Sequence, residues 1–171
     1  MRCFIAVPVS ATLADTLGQV PGPDPGRTVA AADLHLTLAF LGERREAWVR
    51  SLWPSLTELA AATRAFALTL PEAGPFPGPG GRFWAARVTP EPALTDLHAR
   101  LWRVLAAAGA EREPRPFLPH VTLARLARPT RAAPVAGPWR MPVTSLAVHE
   151  SPPDGGGYRI LREWPLARPR P

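Results

Sequence analysis

Apolar and polar positions alternate with period two in several short stretches and with helical spacing in others. Cys3 to Val9 reads as a strand, and Ser10 behind it is placed to cap a helix over Ala11 to Gln19. The stretch Pro21 to Gly26 is rich in turn formers. A strand is predicted from Asp33 to Leu41, stopping at Gly42. Helical spacing then runs from Glu46 to Thr63, where Pro54 predicts a kink or two shorter helices. Strands follow at Phe66 to Leu70 and Arg82 to Thr89, separated by the Pro/Gly loop Pro75 to Gly81. Leu94, Leu97, Leu101, Val104, Leu105 and Ala108 line one face of a helix over Pro92 to Ala108, with Gly109 just past its end. Phe117 to Arg125 reads as a strand. Met141 to His149 and Tyr158 to Leu166, around a turn at Pro152 to Gly157, read as a C-terminal hairpin; Ala167 to Pro171 is expected to be loose.

One order of elements occurs twice. A strand beginning at Phe4 leads through a helix and a loop to a strand beginning near His35, and the same succession leads from Phe83 to His120. The two Phe-to-His separations are 31 and 37 residues. Such a duplication predicts two lobes related by a pseudo-twofold axis, with the later strand of each unit facing the other across a cleft.

Those later strands carry the same tetrapeptide pattern, His35-Leu36-Thr37-Leu38 and His120-Val121-Thr122-Leu123. In an extended strand His35 and Thr37 share a face, while Leu36 and Leu38 point the other way. His120 and Thr122 follow the same rule. The chain has only four histidines, so a recurrence of the full pattern is rare by composition alone. Brought together, two imidazoles and two hydroxyls suit acid–base chemistry on a phosphodiester.

Composition narrows the setting. With 171 residues, 46% of them hydrophobic, the chain can bury a core. No stretch approaches the roughly 18 apolar residues that span a bilayer. The N-terminus reads as a strand rather than a signal peptide, and the single cysteine, Cys3, has no internal disulfide partner. These features together predict a cytoplasmic protein. The net charge is +6 and every basic side chain is Arg, a balance compatible with a phosphate-bearing partner such as RNA. A biased genome composition is the competing explanation for that bias and for the 23 prolines.

The residues resemble the 2H phosphoesterase superfamily, and within it the RNA 2′,3′-cyclic phosphodiesterases, also called 2′-5′ RNA ligases. Three segments carry the resemblance: Arg2-Cys3-Phe4-Ile5-Ala6-Val7, Leu34 to Gly42 around the first motif, and Pro116 to Arg125 around the second. It covers nearly the whole chain. It implies an α+β fold with two pseudo-symmetric lobes of antiparallel sheet backed by helices, a central cleft carrying both motifs, and one bilobal domain over residues 1–171. It also implies hydrolysis of 2′,3′-cyclic phosphate ends of RNA to 2′-phosphates, without metal or nucleotide cofactor, and with 2′-5′ ligation as a reverse activity. No protein partner is implied, and a monomer is expected.

On this resemblance His35 is the proton donor to the leaving oxygen and His120 the proton acceptor that activates water; residue chemistry alone leaves their order open. Thr37 and Thr122 would donate hydrogen bonds to non-bridging oxygens. Arg125 is the candidate for phosphate or ribose contact, although five residues beyond His120 it should face away unless a bulge or the strand's end intervenes. Phe4, Phe40 and Phe117 could stack on a base, with core packing as the competing role for each; Phe4 is carried as a substrate-binding candidate. His98 is expected to be structural, and His149 to sit exposed at a strand end. Three alternatives stand beside the enzyme: a non-catalytic RNA-end binding module, a 2H enzyme acting on small cyclic nucleotides, and a zinc site from His35, His120 and Cys3 or His98. The last lacks a short-spacing ligand pair.

Overall fold

Alternation and helical spacing resolve into nine strands and four α-helices in a computed structural model that describes residues 1–23, 25–154 and 156–170. In chain order these are β1 (Arg2–Pro8), α1 (Ala11–Gly18), β2 (Pro25–Thr28), a 3-10 turn (Ala31–Asp33), β3 (His35–Glu43), α2 (Glu46–Ser51), α3 (Trp53–Ala61), β4 (Phe66–Phe76), β5 (Phe83–Arg87), α4 (Pro92–Ala107), β6 (His120–Leu126), β7 (Val135–Val143), β8 (Ser145–Ser151) and β9 (Arg159–Pro165). The strands form one sheet in the order β7-β4-β5-β6-β3-β1-β8-β9, with β2 added alongside β6. All these strand pairings are antiparallel.

The sheet has two halves. One is β3-β1-β8-β9 and the other β6-β5-β4-β7, and they meet where Leu36 of β3 pairs with Val121 of β6. The predicted repeat is the backbone of both halves: β1-α1-β3 in one and β5-α4-β6 in the other. One face of the sheet is packed by the helices. Ile5, Val7, Leu36, Trp84, Ala86, Val121, Leu146 and Val148 lie on it, against Leu13 and Leu17 of α1, Leu56 of α3 and Leu94, Leu97, Leu101 and Leu105 of α4.

Local chemistry explains the helix ends. The Ser10 hydroxyl accepts a hydrogen bond from the Leu13 amide at 3.3 Å, as the N-cap reading predicts. Pro54 sits in the first turn of α3, where its missing N–H has no helical partner to lose, so the expected long helix becomes two that share Leu52. Gly109 ends α4 at φ +89°, a conformation that a Cβ would strain. Polar ties then lock the helices in place. Trp48 Nε1–H donates to the Ala108 carbonyl at 2.9 Å, Trp164 Nε1–H to Thr57 Oγ1 at 2.8 Å, and Arg100 Nη1–H to Thr63 Oγ1 at 2.9 Å.

Several boundaries differ from expectation. Met141 to His149 is two strands, because β7 pairs with β4 in one half and β8 with β1 in the other; the C-terminal hairpin is β8–β9. β4 extends six residues past the expected Leu70, since both its neighbours supply hydrogen bonds. The second motif strand starts at His120 rather than Phe117. The expected turn at 21–26 runs into β2; it and the turn at 152–157 each include one position outside the described residues, 24 and 155. Within the tail, Pro171 lies outside them too, but Ala167 is anchored: its amide donates to the Thr63 carbonyl and its carbonyl accepts from the Ala65 amide.

Leu101 is fully buried between α4 and the sheet. Leu101→Ala is expected to cost about 2–5 kcal/mol of unfolding free energy, read from urea denaturation. A loss under about 0.5 kcal/mol would contradict this packing.

Candidate active site

Each motif histidine is the first residue of its strand, and each ring is pinned in the same way. Nδ1 of His35 lies 2.6 Å from the Asp33 carbonyl, and Nδ1 of His120 lies 2.7 Å from the Leu118 carbonyl. A carbonyl only accepts, so Nδ1 carries the proton in both rings. Nε2 is therefore the atom that gains and loses a proton, on the side away from the backbone.

The pair Leu36↔Val121 sets the rest. Both side chains point into the core, so the residues flanking them point out. Continuing the antiparallel register one residue either way sets His35 across from Thr122 and Thr37 across from His120. All four are half-buried. The partners of the two threonines on the outer strands are both alanine, Ala6 and Ala85.

Both motif strands carry the same irregularity. The pairing Ile5↔Ala39 is followed by Ala6↔Thr37, and Trp84↔Ala124 by Ala85↔Thr122, so Leu38 and Leu123 are each an extra, bulged residue. The bulge resets the alternation. Arg125 is exposed between buried Ala124 and Leu126, on the same side as His120 and Thr122. Phe40 takes the matching position in β3 and is 55% exposed, not in the core.

The two imidazoles differ in their neighbours. His35 packs against Phe4 at 4.8 Å and edge-on to Tyr158 at 5.2 Å, between ring centroids. The Tyr158 amide donates to Asp33 Oδ1 at 3.2 Å, so Asp33 holds both this loop and the His35 ring. His120 stacks on Phe76 at 3.8 Å and pairs across the strands with Arg87. The Arg87 guanidinium lies 5.3 Å from the Phe76 ring and donates to the Pro77 carbonyl at 2.6 Å.

Burial pushes the pKa of both histidines below the ordinary histidine value. For His35 the Asp33 carbonyl and carboxylate work against that shift, while the charge on His120 adds to it. For His120 the Leu118 carbonyl works against it and Arg87 adds to it. The neighbouring charges thus favour a proton on His35 and disfavour one on His120.

Phe4 departs from its expected role. It is 3% exposed, with His149 stacked at 4.8 Å, Tyr158 edge-on at 5.0 Å and His35 against it. β1 lies between β3 and β8, so neighbours on both sides close over the ring; it supports His35 and has no face free for a base. His149 also departs from expectation. It is 5% exposed, because β8 is an interior strand covered by β9. Phe117 is half-buried and stacks on His98, which is buried in α4, at 3.9 Å. Cys3 lies in the core cluster, on the face opposite the motif histidines. Among the described residues no three His, Cys, Asp or Glu side chains gather as metal ligands.

Sequence reasoning missed Asp33, Phe76, Arg87 and Tyr158. Only the position of Arg87, four residues after Phe83 in the second repeat, was a usable signal; the others arrive from loops or from β4.

A family model described as the 2′-5′ RNA ligase superfamily matches residues 11–152. The chain belongs to that superfamily. It is 35% identical over 149 residues to the RNA 2′,3′-cyclic phosphodiesterase of Escherichia coli, covering 85% of this chain and 83% of that one. To the Thermus thermophilus protein of the same name it is 34% identical over 180 aligned positions, covering 97% and 90%. The crystal structure of E. coli LigT complexed with 3′-AMP superposes with a TM-score of 0.79 at 30% identity, covering 96% and 97% of the two chains.

His149 links the site to acid stability. Burial and the nearby His35 lower its pKa to about 4, while the Ala147 carbonyl favours its charged form without closing a hydrogen bond of normal geometry. A histidine at 6.5 unfolded and about 4 folded contributes stability that is fully present above the unfolded value and lost as pH falls between the two. The loss is at most about 3 kcal/mol. His149→Phe keeps a ring on Phe4 and removes the titration. Its urea midpoint relative to wild type is expected to rise from pH 7 to about pH 4.5; a difference constant with pH would refute this.

Proposed function

We propose that this chain opens 2′,3′-cyclic phosphate ends of RNA with water, leaving a 2′-phosphate. Nε2 of His120 takes the proton of the attacking water, and Nε2–H of His35 gives a proton to the departing 3′ oxygen. Thr37 and Thr122 donate their hydroxyl hydrogens to the non-bridging oxygens, where charge builds in the transition state. Run backwards, with the roles exchanged, the same groups join a 2′-5′ linkage.

The observation that carries this reading is the mirrored pair of histidines, each with Nδ1 committed to a backbone carbonyl two residues earlier and each across from a threonine. The unequal surroundings support the order of roles, since an acid benefits from Asp33 beside it and a base from Arg87. The names of the E. coli and Thermus relatives support the substrate class. We read residues 1–171 as one bilobal domain working as a monomer in the cytoplasm. The lone, buried, unpaired Cys3 supports a reducing compartment. No helix among the described residues is long and apolar enough to cross a membrane.

The test is turnover of adenosine 2′,3′-cyclic phosphate and of a short RNA with a cyclic end, in EDTA, with products identified as 2′- or 3′-phosphates. His35→Ala and His120→Ala are each expected to lose roughly 10²- to 10⁴-fold in kcat. Binding of the RNA end without turnover would leave the binding-module alternative; turnover of the mononucleotide alone would favour a small cyclic substrate.

The pH profile of kcat/KM tests the order. It should be bell-shaped, with both limbs displaced to the acid side by burial of the two rings. In Arg87→Met the His120 pKa rises, so a base must be freed of its proton at higher pH and the acid limb moves up while the basic limb stays. Movement of the basic limb instead would exchange the roles of the two histidines.

A further inference from the structure

The exposed face of the sheet continues past the two motifs. Beyond Thr122 the bulge at Leu123 returns Arg125 to the face of the site. Directly across from Arg125 on one side is Phe83 of β5, and on the other Arg27 of β2. Arg27 and Arg125 are exposed, and Phe83 is 39% exposed. A large aromatic side chain left in water beside guanidinium groups is costly in apolar area.

The pseudo-symmetry shows what is unusual here. Phe4 and Phe83 are equivalent: each stands two residues before the alanine that pairs with a motif threonine. Phe4 is closed over by His149 and Tyr158, whereas Phe83 is open and faces Arg125 where Phe4 faces Phe40. Where the other half pairs two aromatic rings, the half that contains His120 thus sets an open ring directly across from an arginine. That pairing matches a nucleotide, whose base stacks on a ring and whose phosphate takes a guanidinium. The Phe83↔Arg125 pair lies two residues along β5 from the Ala85↔Thr122 pair, roughly 7 Å, which is the reach of the next nucleotide of a strand whose end lies between the motifs.

We propose that Phe83 and Arg125, with Arg27 at their edge, hold the nucleotide on the 5′ side of the cyclic end. Its base stacks on Phe83, and the phosphate linking it to the terminal nucleotide lies against the guanidinium groups. The patch makes the site prefer strand ends to mononucleotides. This inference rests on the reading of the site as one that opens cyclic ends of RNA.

The experiment measures kcat/KM on three substrates: adenosine 2′,3′-cyclic phosphate, the adenylyl dinucleotide with the same cyclic end, and that dinucleotide lacking its 5′ base. Wild type is expected to favour the full dinucleotide over the abasic one by about tenfold. Phe83→Ala should bring the full dinucleotide down to the abasic level and leave the mononucleotide unchanged, which also shows that the variant is folded. Phe83→Trp should restore the preference. Equal loss on mononucleotide and dinucleotide would overturn the proposal by placing the terminal base on Phe83. No loss on either, or no wild-type preference for the full dinucleotide, would overturn it as well. Wild type that turns over none of the three would overturn the catalytic reading itself, and this subsite with it.

Discussion

The pairing of Leu36 with Val121 is the constraint on which the site depends. β1 and β3 are matched along seven register pairs, and β5 and β6 along five, but β3 and β6 meet at this one. Because both side chains point inward, the residues on either side of them face outward together. The four motif side chains are neighbours only while that contact holds. One backbone pair is too little to align two half-sheets, and the helix layer supplies the rest. α2 reaches the end of α4 through Trp48, and α3 reaches β9 through Trp164. The apolar packing that anchors these helices is thus also what holds the two imidazoles opposite each other.

A duplicated frame would make both histidines alike, and unequal neighbours make them differ. Their strands, bulges and Nδ1 hydrogen bonds correspond in detail. Asp33 stands beside one ring and Arg87 beside the other, and this difference of charge lets one kind of side chain fill both roles in the proposed reaction. The aromatic positions diverge in the same way. Phe4 is closed in by a loop and an interior strand, whereas Phe83 is left open next to arginine. Beside His35 the Phe4 ring is held still, and in the half with His120 the equivalent ring faces an arginine.

The bulges at Leu38 and Leu123 show how a small backbone irregularity alters a surface. In a regular strand Arg125 would point into the core, where an unpaired guanidinium is very costly. One extra residue returns it to the solvent face and aligns it with Phe83. The same step in β3 turns Phe40 outward.

Much was written in local pattern. The duplicated order of elements, the facing of each His and Thr, the cap at Ser10 and the break near Pro54 follow from side-chain size, period and backbone chemistry, which act over a few residues. The superfamily resemblance rested on those local segments as well. Other features were decided only by tertiary structure, because they depend on which strands become neighbours. His149 looked like a strand end until β9 covered β8, and Phe4 looked like a stacking surface until His149 and Tyr158 closed over it. Arg87 and Phe76 reach His120 from β5 and β4, and Tyr158 reaches His35 from a distant part of the chain. Sequence by itself therefore determined which histidines and threonines form the candidate site and which way those four face. The fold decided what stands next to them, since burial, neighbouring charge and the placement of a bulge arise from contacts between segments distant along the chain.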